Sequence, residues 1–509
     1  MLAKINGFAL DGLDGYAVTV EADISNGLPS YELVGLASTA TKESKERIRS
    51  AIKNSGYLYP QKKITVNLAP ADTKKEGPSF DLGIAIAILC ASEQIKSNIY
   101  KNYVFIGELG LDGGLRHVNG IMPLIISAMQ QGYKNFILPT CDAVEASYVG
   151  GINAYAFDNL VEVADFLKGS EKEPVLTREF SAEEAVGVKG FDFKDVKGQT
   201  VAKRALEIAV SGGHNVIMIG PPGGGKTMLA KCVPSIMPDM TFEEAVEVTK
   251  IHSIAGELDQ SVGIVRRRPF RSPHHTVTIP ALIGGGTKSK PGEVSLANLG
   301  VLFLDEMPEY QRNALESLRQ PLEDRKISVS RVQRTINYPA NFMLVASMNP
   351  CPCGNYGSKT SECRCTPQQI HNYLSRLSAP LLDRIDLQIE VDNLTYDEFR
   401  GKEQAESSAE IKVRINKARE IQRKRFLGDG ILTNAEMTEN LIKKYCAIDE
   451  QSERLLKMAF ERLNLSARGT SRILKVARTI ADLDGSENIK SSHLAEAIQY
   501  RQLDRRYYV

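Results

Sequence analysis

The chain has 509 residues, with 63 Lys plus Arg against 62 Asp plus Glu and a net charge of +1. That length exceeds one hydrophobic core, and 42% hydrophobic with 25% charged residues excludes a largely disordered chain. Balanced charge excludes a polybasic coat, so any nucleic-acid contact must come from a local patch. Residues 1–15 carry Asp and Gly where a signal peptide needs an apolar core. Residues 16–24 alternate apolar and polar side chains and predict a strand. A helix follows over 42–55, with Ile48, Ala51 and Ile52 on one face. Residues 63–68 predict a strand, 80–92 an apolar helix and 103–109 another strand. The longest apolar run, 82–91, falls well short of the roughly twenty residues of a membrane-spanning helix. A cytoplasmic protein without membrane contact is therefore expected. Residues 1–168 are expected to form an α/β or α+β domain. The polar stretch 169–190 (GSEKEPVLTREFSAEEAVGVKG) reads as a linker. A second α/β block covers 191–391, and 392–509 is almost wholly helical in pattern.

GPPGGGKT at 220–227 satisfies G-x-x-x-x-G-K-[ST]. An apolar strand precedes it (215–219) and a helix follows (228–232), the setting this motif requires. Gly220, Pro221, Pro222, Gly223, Gly224 and Gly225 would let backbone N–H groups curl round the phosphates of ATP. Lys226 would place a point charge on the same oxygens, and the Thr227 hydroxyl could ligate Mg²⁺. VLFLDE at 301–306 is a buried strand ending in two carboxylates. Asp305 would hold the Mg²⁺ through water, and Glu306 would polarise the attacking water. A protein that only binds ATP has little need of that second acid. NFMLVASMN at 341–349 is a further buried strand, whose Asn349 is placed to touch the γ-phosphate or the water. In LLDRID (381–386), Arg384 could stabilise transition-state charge as an arginine finger does. SARGTSR (466–472) opens a helix in the terminal block.

Eight cysteines are present, and Cys90, Cys141, Cys232 and Cys446 are scattered singly. Cys351, Cys353, Cys363 and Cys365 lie within fifteen residues in a Gly-, Pro- and Ser-rich loop. Four thiolates from a short loop suit tetrahedral Zn²⁺, which would staple a segment that has no core of its own. Free thiols and disulfides are the alternatives, and disulfides are disfavoured in the cytosol. Four protein ligands leave no open position, so the expected role is structural.

These elements, in this order, resemble the AAA+ ATPases of the magnesium-chelatase-like branch, and most of all the ComM (YifB) family. The stretches that carry the resemblance are RPFRSPHHT (268–276), ALIGGG (281–286), PGEVSLANLGVLFLDEMPE (291–309) and ASMNPCPCG (346–354). It covers essentially the whole chain. It implies a P-loop ATPase core with a helical lid, and casts Asn349 as sensor 1 and Arg384 as a finger entering the neighbouring subunit's site. Arg468 matches the sensor 2 arginine, with Arg472 as second choice. A finger that acts in trans implies a ring, and the resemblance implies that the ring is a hexamer.

The branch also carries two insertions. One contains Arg266, Arg267, Arg268, Arg271 and residues 284–290. The other is a predicted hairpin, 326–338, with Arg331 and Arg334 at its tip. In related motors such hairpins line the pore and grip nucleic acid, branched or single-stranded DNA here; the bland alternative is that these arginines are solvated or pair with carboxylates. His274 and His275 should alternate sides of an extended chain, so a shared metal is not expected.

KKEGPSFD (74–81) and FIGELGLDGGLRHVNGIM (105–122) resemble the proteolytic domain of Lon-type proteases, within the ribosomal-protein-S5-like superfamily. Ser79 stands at the nucleophile position. Met122 stands where the family has its lysine base, and a thioether cannot accept the proton. A binding role is expected of this domain.

The leading expectation is an ATP-driven ring motor on DNA. The resemblance implies branch migration of recombination intermediates during natural transformation. The alternative is a chelatase-type ATPase that remodels a protein partner, against which stands the N-terminal domain, expected to be missing from the chelatase ATPase subunit. A Lon-like protease and a non-hydrolysing scaffold are the remaining options, disfavoured by Met122 and by the Asp305–Glu306 pair.

Overall fold

Alternating burial along the first two strands sets the frame of the N-terminal unit. β1 (Leu2–Asp11) and β2 (Asp14–Ser25) pair antiparallel from Leu2↔Asp23 to Asp11↔Asp14, with Ile5, Val18, Val20 and Ala22 turned inward. The computed structural model describes all residues except 37–38, 72, 74, 76, 182–189, 287–289, 332–333, 358–361, 394–404, 464 and 502–509. β3 (Ser30–Val34), α1 (Thr39–Asn54), β4 (Lys63–Ala69) and α2 (Asp81–Ala91) follow. Every residue of α2 is buried, as an all-apolar helix requires. Its one charge, Asp81, pairs with Arg47 at 2.9 Å; burial still pushes this carboxyl up to about 7. β5 (Val104–Phe105), α3 (Ile121–Gln130), β6 (Asn135–Pro139), β7 (Asn153–Phe157) and α4 (Leu160–Leu167) complete the unit's first stretch. The sheet has seven strands in the order β3-β4-β2-β1-β5-β6-β7.

The strand expected over 103–109 is broken. Beyond Phe105 the Ile106 amide still bonds the Ile137 carbonyl, but Gly107 turns to the Ser79 carbonyl, and Glu108–Leu109 pairs separately with Leu115–Arg116. The stretch predicted as a linker has no helix or strand over 169–181, and its continuation 182–189 lies outside the described residues.

The second unit is built on a parallel sheet. α5 (Thr200–Gly212), β8 (Val216–Ile219) and α6 (Lys226–Ile236) open it. The next helix, α7 (Phe242–Ala255), follows α6 in the chain but belongs to the first unit, which comprises residues 1–181 and 242–266. It packs on α3. Its Ser253 Oγ donates to Glu145 at 2.6 Å and accepts from the Gly120 amide at 2.9 Å. Burial pushes Glu145 up to about 7. The chain re-enters the second unit at residue 267. There follow β9 (Phe270–Arg271), β10 (Val301–Leu304), α8 (Arg319–Asp324), β11 (Lys326–Arg331), β12 (Arg334–Pro339), β13 (Met343–Met348) and β14 (Leu387–Glu390).

The five-stranded order is β9-β10-β13-β8-β14, and every pairing in it is parallel. Both faces are buried, as parallel sheets demand. Val216, Met218, Val301, Phe303, Val345 and Leu387 face one core; Ile217, Ile219, Leu302, Leu304, Leu344 and Ala346 face the other. The period-2 alternation of strands thus sorts consecutive apolar residues into two layers. The first core is shared with the C-terminal helices α9 (Ser408–Arg425), α10 (Glu439–Tyr445), α11 (Glu450–Leu463), α12 (Ala467–Leu483) and α13 (Ser491–Gln499). Among them, α9 and α12 pack on α5. The hairpin β11–β12 stands as its own two-stranded sheet. Its register runs from Lys326↔Pro339 to Arg331↔Arg334. No helix among the described residues is long and apolar enough to cross a membrane.

Candidate functional site

The strand order brings three distant segments to one place. β8 and β10 flank β13, and all three run in the same direction. The loop after β8, the carboxylates after β10 and the amide after β13 therefore emerge together at the carboxyl ends of the strands, where open α/β sheets bind their ligands.

The loop at 220–225 is shaped by its glycines. A Cβ on Gly220 would lie 2.0 Å from the Val391 carbonyl oxygen, so no other residue fits there. Gln199 fixes the loop further, donating to the carbonyls of Gly224 at 3.3 Å and Asp392 at 2.7 Å. Lys226 opens α6 and is buried. Its Nζ donates to the carbonyls of Gly220 at 2.7 Å and Pro221 at 2.8 Å, and to Asn349 Oδ1 at 3.3 Å. Burial holds its pKa below the usual lysine value, while Asp305 and Glu306 pull the other way. Thr227 Oγ1 donates to Asp305 Oδ2 at 3.0 Å. A hydroxyl and a carboxylate in contact beside a lysine and a helix N-terminus are the donor set that Mg²⁺ and a polyphosphate would take.

Glu306 is exposed and holds φ at +52°, a left-handed conformation that non-glycine residues adopt at some cost. One residue unnoticed in the sequence holds this turn. Ser347, fully buried in β13, donates its Oγ to Asp305 Oδ1 and accepts from the Glu306 amide at 3.2 Å. A serine inside an otherwise apolar strand was the signal.

The three predicted arginines gather elsewhere in the unit. Arg384 is buried; its Nη1 donates to the Pro380 carbonyl at 2.6 Å and its Nη2 pairs with Glu323. Arg472 pairs with Asp386, whose carboxyl also accepts from the Asn215 amide at 3.1 Å and faces His214 at 3.4 Å. Burial alone would raise Asp386; Arg472 and His214 outweigh it and hold the carboxyl far below its usual value. Arg468 is exposed, and its charge bears on Glu323 together with those of Arg384 and Arg472. None of the three shares a described partner with Lys226.

The basic insertions divide. Arg266 donates to the Tyr148 hydroxyl at 2.6 Å, Arg268 to the Pro238 and Leu299 carbonyls at 2.6 and 2.8 Å, and Arg271 pairs with Glu293 at 2.6 Å. These three have internal partners, and the Arg267 side chain is exposed. Arg331 and Arg334 end the two hairpin strands; their side chains lie outside the described residues. The expectation that His274 and His275 take opposite sides fails: a turn closed by Val277 N to His274 O at 2.9 Å brings the rings to 4.0 Å.

The four clustered cysteines converge as the spacing predicts. Their sulfurs lie within 4.8 Å of one another, with Cys351–Cys353 at 3.4 Å and Cys351–Cys363 and Cys353–Cys363 at 3.7 Å. All four are free. Zinc–sulfur bonds of about 2.3 Å in a tetrahedron set sulfurs about 3.8 Å apart, so the set fits a zinc ion. The loop also touches the phosphate cradle, since a Cβ on Gly354 would meet Pro222 Cδ at 2.5 Å.

In the first unit, Met122 is buried in the first turn of α3 and its amide donates to Glu145 at 2.8 Å. No base replaces it at that position.

Family profiles match three stretches: "Magnesium chelatase, subunit ChlI" over residues 192–399, "Subunit ChlI of Mg-chelatase" over 20–142, and "Magnesium chelatase, subunit ChlI C-terminal" over 405–501. Competence protein ComM of Haemophilus influenzae is 45% identical over 508 residues, covering 99% of this chain and 98% of that protein. YifB of Escherichia coli, itself uncharacterised, is 45% identical over 497 residues, covering 97% and 96%. Lon protease 2 of Bacillus subtilis is 32% identical over 154 residues, covering 28% of this chain and 26% of the protease. The chain belongs to the ComM/YifB family of magnesium-chelatase-like proteins. Membership implies ATPase activity. A profile named for the chelatase subunit thus also matches within the N-terminal domain, over residues 20–142.

Proposed function

We propose that the chain is an ATP-driven ring motor on DNA, a hexamer that drives branch migration of recombination intermediates during natural transformation, in the cytoplasm. The observation that carries the DNA reading is the hairpin register. Arg331 and Arg334 stand directly opposite each other at its end. Two cationic residues paired in register at one end of the hairpin are the residue type that a phosphate backbone attracts. Full-length identity to a competence protein supports DNA as the partner. A ring is supported by the arginine distribution, because Arg384 pairs with Glu323, the charges of Arg468 and Arg472 also bear on Glu323, and none of the three is among the described partners of Lys226. A second copy would then supply the arginine that the phosphates need.

In this reading the loop 220–225 and the α6 N-terminus hold the phosphates of ATP, and Lys226 leaves its carbonyl partners for the phosphate oxygens. Mg²⁺, held by Thr227 and Asp305, would supply charge neutralisation on those oxygens. Glu306 takes the proton of the attacking water as its oxygen bonds to the γ-phosphorus and the bond to the ADP oxygen breaks. Asn349 orients that water or the γ-phosphate. Helices in 392–509 serve as the lid. Residues 1–168 form a ribosomal-protein-S5-like domain that binds without cleaving, since Met122 offers no base.

The test is ATP-dependent dissociation of a labelled four-way DNA junction. Arg331→Ala/Arg334→Ala should lower DNA-stimulated turnover at least about five-fold and leave DNA-free turnover unchanged. Equal stimulation in the double variant would remove the hairpin from DNA contact. The second reading, an ATPase that remodels a chelatase-type protein partner, is favoured by the ChlI matches along the chain. It would be supported if ATP is hydrolysed, junctions stay intact, and a chelatase-like subunit co-purifies.

Zn²⁺ is proposed for Cys351, Cys353, Cys363 and Cys365. Metal analysis of the purified protein should give about one zinc ion per chain, and Cys353→Ser should lose it at least ten-fold more readily to a chelator. A metal-free wild type that melts at the same temperature as the loaded one would rule out a structural role.

A further inference from the structure

Arg384 belongs to a segment suited to serve a phosphate, yet its guanidinium is held inside its own chain. Nη1 is bound to the Pro380 carbonyl and Nη2 to Glu323, while Nε is buried with no partner among the described residues. A buried donor without an acceptor is unfavourable, so Arg384 does not rest there by its own preference. What holds it is Glu323. That carboxylate is half exposed and therefore keeps much of its hydration, so the pair can open without leaving a dry charge behind.

Glu323 also has a particular place in the chain. It lies in α8, and only Asp324 and Arg325 separate it from the first hairpin strand. Arg325 sits at φ +54° and is clamped, donating to Asn341 Oδ1 at 2.9 Å and pairing with Glu436 at 2.9 Å. Asn341 is the connector between the hairpin and β13, the strand that ends at Asn349. The hairpin root is thus tied on one side to the holder of Arg384 and on the other to the strand that carries Asn349. A displacement of the hairpin reaches both.

We propose that Glu323 is a positioning residue for Arg384: it latches the arginine within its own subunit, and movement of the hairpin on DNA binding releases it toward the neighbouring subunit's phosphates. The latch makes hydrolysis conditional on the polymer. It rests on the DNA-motor reading for its trigger, and on geometry alone for the latch itself.

Glu323→Gln separates the two. A charge-assisted hydrogen bond replaced by a weaker one shifts the held-to-released ratio by roughly ten-fold. DNA-free ATP turnover should therefore rise several-fold, DNA should stimulate it little further, and KM for ATP should stay within about two-fold. The gain should vanish in Glu323→Gln/Arg384→Ala, because it passes through Arg384. Glu323→Asp keeps the charge at a shorter reach and should rise less, which gives a second readout if the glutamine variant misfolds. Turnover at or below the wild-type level in both variants would overturn the latch, as would a rise that survives loss of Arg384. If wild-type turnover ignores DNA altogether, the motor reading fails, while the DNA-free comparison still decides the latch.

Discussion

Glu306→Gln is expected to reduce steady-state ATP hydrolysis by about a hundred-fold or more, with nucleotide affinity retained. The two side chains have the same shape, so the turn that presents them should persist. What changes is the ability to take a proton from water. The turn itself is a strained one, with φ at +52°, and it is held because Ser347 accepts the Glu306 amide and donates to Asp305. A residue kept in such a conformation on an exposed edge contributes nothing to packing, and its carboxylate, with that of Asp305, partly offsets the lowering that burial imposes on the Lys226 ammonium. Turnover measured by phosphate release, with binding read from a fluorescent ATP analogue, separates the two effects. Ser347→Ala offers the graded control: it should lower turnover by about ten-fold through a loosened Asp305 and Glu306, not through a missing base. Wild-type turnover in Glu306→Gln would mean that another group activates the water.

The site's parts were legible in the sequence because each is a local event. A glycine-rich turn with Lys226 and Thr227, two acids after four apolar residues, and an amide after a buried strand each declare their chemistry within ten residues. The cysteine spacing was legible for the same reason. Their assembly depends on the strand order, in which β13 lies between β8 and β10, and no local pattern states that order. Ser347 was passed over because a small polar residue in an apolar strand reads as packing. β1 escaped because Gly7 and Asn6 dilute its alternation, although it forms the longest ladder of its sheet with β2. Arg266 and Arg268 looked like candidates for a polyanion, yet their partners are a tyrosine hydroxyl and main-chain carbonyls more than twenty residues away, which charge counting along the chain does not register. The reassignment of α7 to the first unit has the same origin: Glu145 and Ser253 are 108 positions apart, and only folding puts them 2.6 Å from each other.

Arg384→Ala should abolish hydrolysis as completely as loss of the phosphate lysine, by about a thousand-fold, while ATP still binds. The decisive experiment mixes two inactive proteins. Lys226→Ala lacks a phosphate site and keeps Arg384; Arg384→Ala keeps the site and lacks the finger. If Arg384 serves the adjacent subunit, equal mixing into a ring joins an intact Lys226 to an intact Arg384 at about a quarter of the interfaces, and activity should return to roughly that share of wild type. If Arg384 serves its own site, no interface is repaired and the mixture stays inactive. The structure favours repair. In one chain Arg384 is buried against Pro380 and Glu323, and Arg472 is engaged by Asp386, whereas Lys226 has carbonyls and Asn349 around it. A single subunit thus holds Lys226 and Arg384 on separate sets of contacts, and in the proposed ring the neighbour would bring the arginine to the phosphate loop.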